Sequence, residues 1–215
     1  MVEEELHYSD FLCSDIVCLQ TANSSRKFRI HEDLLASKCR AIHAAFTGDF
    51  KEKKDGAYTI QDTTDETVAR FVEWAYKNDY SDEVRFSGAS SLSENMDEEE
   101  RNYSLLAHAQ IYVFAHVYVI ENLQSLAYDR LTANIIALGP NTLDYLTAII
   151  RMLDTTFSSL HQDDKLLDWL GRYAAWLIED LKSHPEFHAV LPKLAYSIIR
   201  HMSPARLPPW GIRSF

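Results

Sequence analysis

KFRIHEDLLASKCRAIHAAFTGDFKEKKDGAYTIQDTTDETVARFVEWAYKNDY, residues 27–80, is the stretch whose reading decides the fold. Lys27-Phe28-Arg29-Ile30 alternates polar and apolar, the period of a half-exposed strand. Leu34, Leu35, Ile42, Ala45 and Phe46 recur at helical spacing and predict two short helices, over 31–39 and 40–47, with a bend near Ser37. Gly48 suits a left-handed stop for the second of them. Residues 50–56 read as a charged loop and Ala57 to Ile60 as a short strand. Thr63 and Glu66 have capping-box spacing; Val68, Phe71, Val72 and Ala75 mark one buried face of the next helix, which Asn78 and Asp79 end.

Outward from this stretch, Asp15-Ile16-Val17-Cys18-Leu19 is near-continuously apolar and predicts a strand buried on both faces. The polar turn from Thr21 to Arg26 joins it to Lys27–Ile30 as a hairpin. Residues 81–100 are acidic and low in apolar residues, the composition of a flexible insertion, with Val84 and Phe86 as candidates for a short strand at its start. From Tyr103 onward the pattern is helical, interrupted at Gly139-Pro140-Asn141 by a stop, a break and a fresh cap. Leu166, Leu170, Ala174, Leu177 and Leu181 define one later helix, and Ser183 to Glu186, with Pro185 in the first turn, opens the last. The expected fold is α+β and mostly helical: a small sheet wrapped by short helices over 11–138, with the insertion at about 81–101, then an all-α extension over 139–203 and a Pro-rich tail over 204–215.

An apolar content of 47% and four Trp mark an ordered chain. The formal charge of −11 is uneven: residues 1–10 carry −4, and residues 81–100, with seven acids against Arg85, carry −6, which leaves −1 for the rest. With no basic stripe to hold phosphates, direct nucleic-acid binding is not expected. Cys13, Cys18 and Cys39 are odd in number and without a C-x-x-C pair, which fits reduced intracellular thiols better than a disulfide framework. The N-terminus is acidic and lacks the apolar run of a signal peptide, and the longest apolar stretch, Ile111 to Ile120, is too short to span a bilayer. No G-x-S-x-G, phosphate-cradling glycine loop or H-E-x-x-H occurs. His184 and His188 have i, i+4 spacing, but with no third ligand nearby they read as surface histidines at a helix start. Neither metal nor cofactor is expected, and nothing suggests an enzyme.

Taken together, these residues resemble the BTB/POZ family over about 11–80 and 103–130. The matching pieces are Ser14-Asp15-Ile16-Val17 at the first strand, Phe28-Arg29-Ile30-His31 leading into Leu34-Leu35-Ala36-Ser37, Gly48-Asp49-Phe50-Lys51-Glu52, Phe71 to Tyr76, and Ala115 to Leu123. The resemblance implies a non-enzymatic interaction module that dimerises or oligomerises and, in many members, bridges a cullin-type ubiquitin-ligase scaffold to a substrate protein. In such adaptors the element matched by Phe50, Lys51 and Glu52 meets the scaffold: Phe50 would fill an apolar pocket and Glu52 would form a charge-assisted bond. The other reading has Phe50 closing the domain's own core and Glu52 solvated. The alternative function is a self-associating scaffold, or a transcription-regulatory member without cullin binding. Repressor-type members place a base after the motif His, where this chain has Glu32, so Asp15 lacks that partner. Asp15 is then expected as a structural acceptor, and His31 as a group satisfying backbone at a helix start. Trp169, Tyr173 and Trp176 lie on a face offset from Leu166, Leu170 and Leu177 and are expected to pack in a core or, failing that, to form a docking or self-association face.

Overall fold

Three short strands carry the sheet, in the order β2-β1-β3. β1 (Ile16–Thr21) pairs antiparallel with β2 (Phe28–His31), setting Val17 against Ile30, and parallel with β3 (Ala57–Ile60), setting Thr21 against Ile60. The computed structural model describes residues 8–47, 51–82, 84 and 96–202. Within these, β1 is buried on one face only. Val17, Leu19 and Thr21 point inward, whereas Ile16, on the other face, is 56% exposed. The strand expected to be buried on both faces is therefore half-covered. Its apolar outer residues disguise the two-residue period.

A parallel neighbour requires a crossover, and residues between β2 and β3 supply it. A one-turn helix, α1 (Tyr8–Phe11), precedes the sheet; α2 (Glu32–Lys38) and α3 (Arg40–Thr47) follow β2, breaking at Cys39 rather than Ser37. Residues 51–56 were expected as loop, but Lys51–Asp55 form a short helix, α4. Five polar residues have no apolar period to reveal it. Next comes α5 (Asp65–Lys77), capped by Thr64, whose hydroxyl accepts from the Thr67 N–H; the Thr63–Glu66 capping box does not form. Asn78 ends α5 in the left-handed region at φ 55°. Val84 joins no strand, and Gly48 and Phe86 lie outside the described residues.

Helix α6 (Met96–Val117) starts seven residues before the expected Tyr103, so residues 96–101 of the stretch read as an insertion are helical. It packs against α5 and against α7 (Glu121–Leu138). The core of this part joins Leu19, Ile30, Leu35, Ile42, Ile60, Val68 and Phe71 to Ile111, Tyr112 and Ala115 of α6, all completely buried.

The chain divides into two compact units, one up to Thr142 and one from Leu143. The second opens at the end of a 3-10 turn over Gly139–Tyr145, where Asn141 does not act as the fresh cap. α8 (Leu146–Ser159), α9 (Lys165–Trp176), the one-turn α10 (Ile178–Leu181) and α11 (Pro185–His201) follow. The single helix expected through Leu181 is thus split at Leu177. His184, not Ser183, is the N-cap of α11, its side chain makes no capping bond, and Pro185 is in the first turn as expected. α11 packs on α8 and α9 through Phe187, Val190, Leu194 and Ile198. The fold is α+β and mostly helical, with a three-stranded mixed sheet. No helix among the described residues is long and apolar enough to cross a membrane.

Candidate functional site

The residues singled out in the first unit fall on different elements. Phe50 lies outside the described residues, as does the side chain of Lys51; Glu52 is half-buried in the first turn of α4. Asp15 is exposed, and the group that accepts there is its main-chain carbonyl, 2.8 Å from the Glu32 N–H. His31 is the N-cap of α2 but makes no side-chain cap bond. Its Nδ1 is 2.6 Å from the Tyr76 hydroxyl on α5, which also accepts from the His31 N–H at 3.2 Å. The Phe11 ring closes the cluster at 5.9 Å from His31 and 6.1 Å from Tyr76. His31 therefore ties β2 to α5 rather than serving local backbone.

The turn between α6 and α7 holds a strained, exposed apolar tip. Ile120 N–H donates to Ala115 C=O at 2.8 Å and Val119 N–H to His116 C=O at 3.3 Å, the pair of bonds of a Schellman close. That motif needs a left-handed residue after the cap, where glycine is favoured, and here the residue is Val119 at φ 55°. A β-branched side chain there costs about 1–2 kcal/mol. Its methyls gain little in return: Val119 is 76% exposed and Val117 59%. Between them Tyr118 turns inward, 4.8 Å from the Phe114 ring and hydrogen-bonded to Tyr58 of β3. Burial, then the charge and hydrogen bond of Tyr58, push the Tyr118 hydroxyl pKa up, so it stays a neutral phenol. Tyr58 lies 6.5 Å from Phe46 at the end of α3, and β3 packs against α4. Tyr58 thus ties β3, which packs against α4, to the Tyr118 that sits between the two valines.

The second unit carries a separate surface. Trp169, Tyr173 and Trp176 stack along α9, with centroids 5.8 and 6.0 Å apart and planes within 19° and 29°. Core packing, the first expectation for them, is not met at Trp176, which is 71% exposed, while Trp169 and Tyr173 are half-buried. Leu166, Leu167, Leu170, Gly171 and Ala174 already fill the inward face of α9, so the aromatic stripe is displaced from it. Beside Trp176, the α9–α11 packing leaves an open cleft of about 590 Å³ lined by Arg172, Ala175, Trp176, His201 and Met202. Asp168 gathers its basic side chains: Oδ2 is 2.6 Å from Arg172, and Oδ1 is 3.2 Å from His201 Nε2 and 3.9 Å from Arg200. Partial desolvation pushes the Asp168 pKa up, but Arg172, His201 and Arg200 together outweigh it and hold the carboxyl below its usual range.

Sequence reasoning missed this corner because it joins Arg172 of α9 to Arg200 and His201 of α11, which only the packing of the two helices brings together. From Lys182 to Phe215 the chain has five Lys or Arg against Glu186, a net +4 that leaves −15 for the rest of the −11 chain. It also missed Val117 and Val119, since nothing local marks a valine as left-handed.

Elsewhere the chemistry is quiet. Cys13 is exposed, Cys18 half-buried and Cys39 buried, all three free, and burial pushes the Cys39 thiol up to about 11. His184 Nε2 faces the Thr147 hydroxyl at 3.4 Å, and His188 is exposed. Among the described residues no group of three His, Cys, Asp or Glu could hold a metal ion. The chain matches no protein-family model and no curated protein.

Proposed function

We propose that the chain is a BTB/POZ-like, non-enzymatic interaction module acting as a substrate adaptor, and that the Glu52–Tyr58–Val119 side of the first unit docks a protein scaffold of the cullin type. The observation that carries this reading is Val119. A glycine would relieve its backbone strain, and burial within the chain does not repay the strain, so the valine tip has the character of a contact made with something else. Glu52 in the first turn of α4, the helix that packs on β3, supplies a carboxylate for a charge-assisted bond at the rim of such a contact. Three free thiols fit action in a reducing, intracellular compartment.

Titration calorimetry of the full chain against a cullin N-terminal domain tests the proposal. Sub-micromolar binding is expected, worth more than about 8 kcal/mol. Glu52→Lys should abolish it with the circular dichroism spectrum unchanged. Val119→Gly should raise folding stability by about 1 kcal/mol yet weaken binding by about tenfold, since it removes strain and contact together. No heat from the wild-type chain would sink the cullin reading. Concentration-dependent sedimentation without cullin binding would favour a self-associating scaffold instead.

A further inference from the structure

We propose that the α9–α11 cleft of the second unit is a docking site for an acidic peptide segment carrying a large apolar side chain. This goes beyond the function proposed for the first unit and does not rest on it.

Both halves of the recognition chemistry are present in the cleft. Ala175, Trp176 and Met202 give an apolar floor, with the indole largely in solvent and the thioether about half so. A flat indole beside a flexible, polarisable methionine accepts apolar side chains of varied shape. Around that floor stand Arg172, Arg200 and His201, held by one carboxylate. A guanidinium has five N–H donors in a rigid fork, so the single contact to Asp168 leaves donors of Arg172 free for a second carboxylate. Asp168 also restrains the Arg172 guanidinium, 2.6 Å away, before any ligand arrives, which lowers the ordering cost of binding.

Charge over the whole chain selects the occupant. The cleft takes Arg172, Ala175 and Trp176 from α9 and His201 and Met202 from the end of α11, and the stretch from Lys182 onward that contains this end is net +4 in a chain that carries −15 elsewhere. A long polyanion such as a nucleic acid would meet that remaining negative charge, whereas a short acidic peptide engages the cationic corner alone. The exposed Trp176 further favours a ligand with an apolar anchor among its acids.

Fluorescence anisotropy with the full chain reads this out. The probe is a fluorescein-labelled peptide of Glu and Asp around a central Phe. Comparison probes replace the acids by Lys, replace the Phe by Gly, or are a labelled single-stranded oligonucleotide. The acidic Phe peptide should bind saturably, and binding should weaken as salt rises beyond about 0.15 M. Arg172→Glu and Trp176→Ala should each weaken it by about tenfold or more. Both side chains are largely exposed, so an unchanged melting temperature should accompany each loss. The proposal is overturned by an absence of saturable binding, by equal binding of the Lys probe, or by tighter binding of the oligonucleotide. Variants that bind like the wild type would overturn it too. So would a wild-type dimer that Arg172→Glu dissolves and the peptide does not, which would make a second copy the occupant.

Discussion

His108 is completely buried on α6, with Nδ1 2.9 Å from the Tyr80 hydroxyl and Nε2 3.2 Å from the Ser104 hydroxyl. Burial pushes its pKa down to about 4; nearby Asp82 works in the opposite direction, and the Arg130 and Arg70 charges reinforce the burial. A folded-state value below the unfolded 6.5 means that the folded protein prefers the neutral ring. The associated stability is complete above pH 6.5 and is lost as pH falls from there through about 4. By pH 4.5 the loss amounts to about 2–3 kcal/mol. Urea denaturation at pH 7 and 4.5 checks this with His108→Gln, which can still bond the two hydroxyls but does not titrate. The variant should lose less stability than the wild type across that interval by about the same 2–3 kcal/mol; equal losses would mean that His108 is not the titrating group. The same cluster shows what a local pattern cannot disclose. Arg70 is also fully buried, donating to the carbonyls of Ser81 at 3.1 Å and Asp82 at 2.7 Å, and Arg130 covers the Tyr80 ring at 4.5 Å. On the helical pattern of α5, Arg70 reads as an ordinary polar position, because its partners are set by the path of the chain beyond Tyr80.

Among the elements, the α9–α11 contact is limited by one residue. A Cβ on Gly171 would stand 2.9 Å from the Ser197 Cβ, too close for either helix to remain in place. Gly171→Val should therefore destabilise the chain by about 1–3 kcal/mol, despite removing a helix-weakening glycine. Thermal unfolding followed by circular dichroism measures it, and a melting temperature at or above that of the wild type would refute the close approach. This constraint has no periodic trace: Gly171 merely continues the apolar face of Leu166, Leu170 and Ala174. What the sequence did disclose follows periodicity. The hairpin of β1 and β2, strand β3, and α5 with its end at Asn78 were all legible from alternation, helical spacing and turn chemistry. What it hid lacked a period or had a misleading composition. α4 is five polar residues, and the first turns of α6 contain the acidic run Asp97 to Glu100, which is as typical of a mobile insertion as of a helix start, where the macrodipole favours acids. For the candidate site, Glu52 and the aromatic stripe of α9 were visible as residue types. The exposure of Trp176 and the left-handed Val119 depend on which neighbouring faces were already filled.

At the scale of the molecule, two surfaces of unlike chemistry sit on two units, each with its own core. The first offers a strained valine tip and, on α4, the half-buried Glu52, and the second offers a cleft with an indole floor and arginines at its edge. Perturbations at sites without shared partners add, with little interaction energy between them. Glu52→Lys should therefore abolish cullin-domain binding while leaving affinity for the acidic Phe peptide within about twofold, and Arg172→Glu should do the reverse. The double variant should show both losses and no additional one. The charge changes also differ in kind: Glu52→Lys puts a base where a scaffold would expect an acid, and Arg172→Glu sets a second carboxylate beside Asp168, directly in the path of an acidic ligand. Calorimetry with the cullin domain and anisotropy with the peptide, run on the same four proteins, complete the cycle. Loss of cullin binding in Arg172→Glu, with melting temperature unchanged, would show the units to be energetically coupled and would refute the separation. If cullin binding is absent throughout while the peptide still distinguishes Arg172→Glu from wild type, the adaptor reading fails and the cleft stands. The converse result removes the cleft and keeps the adaptor.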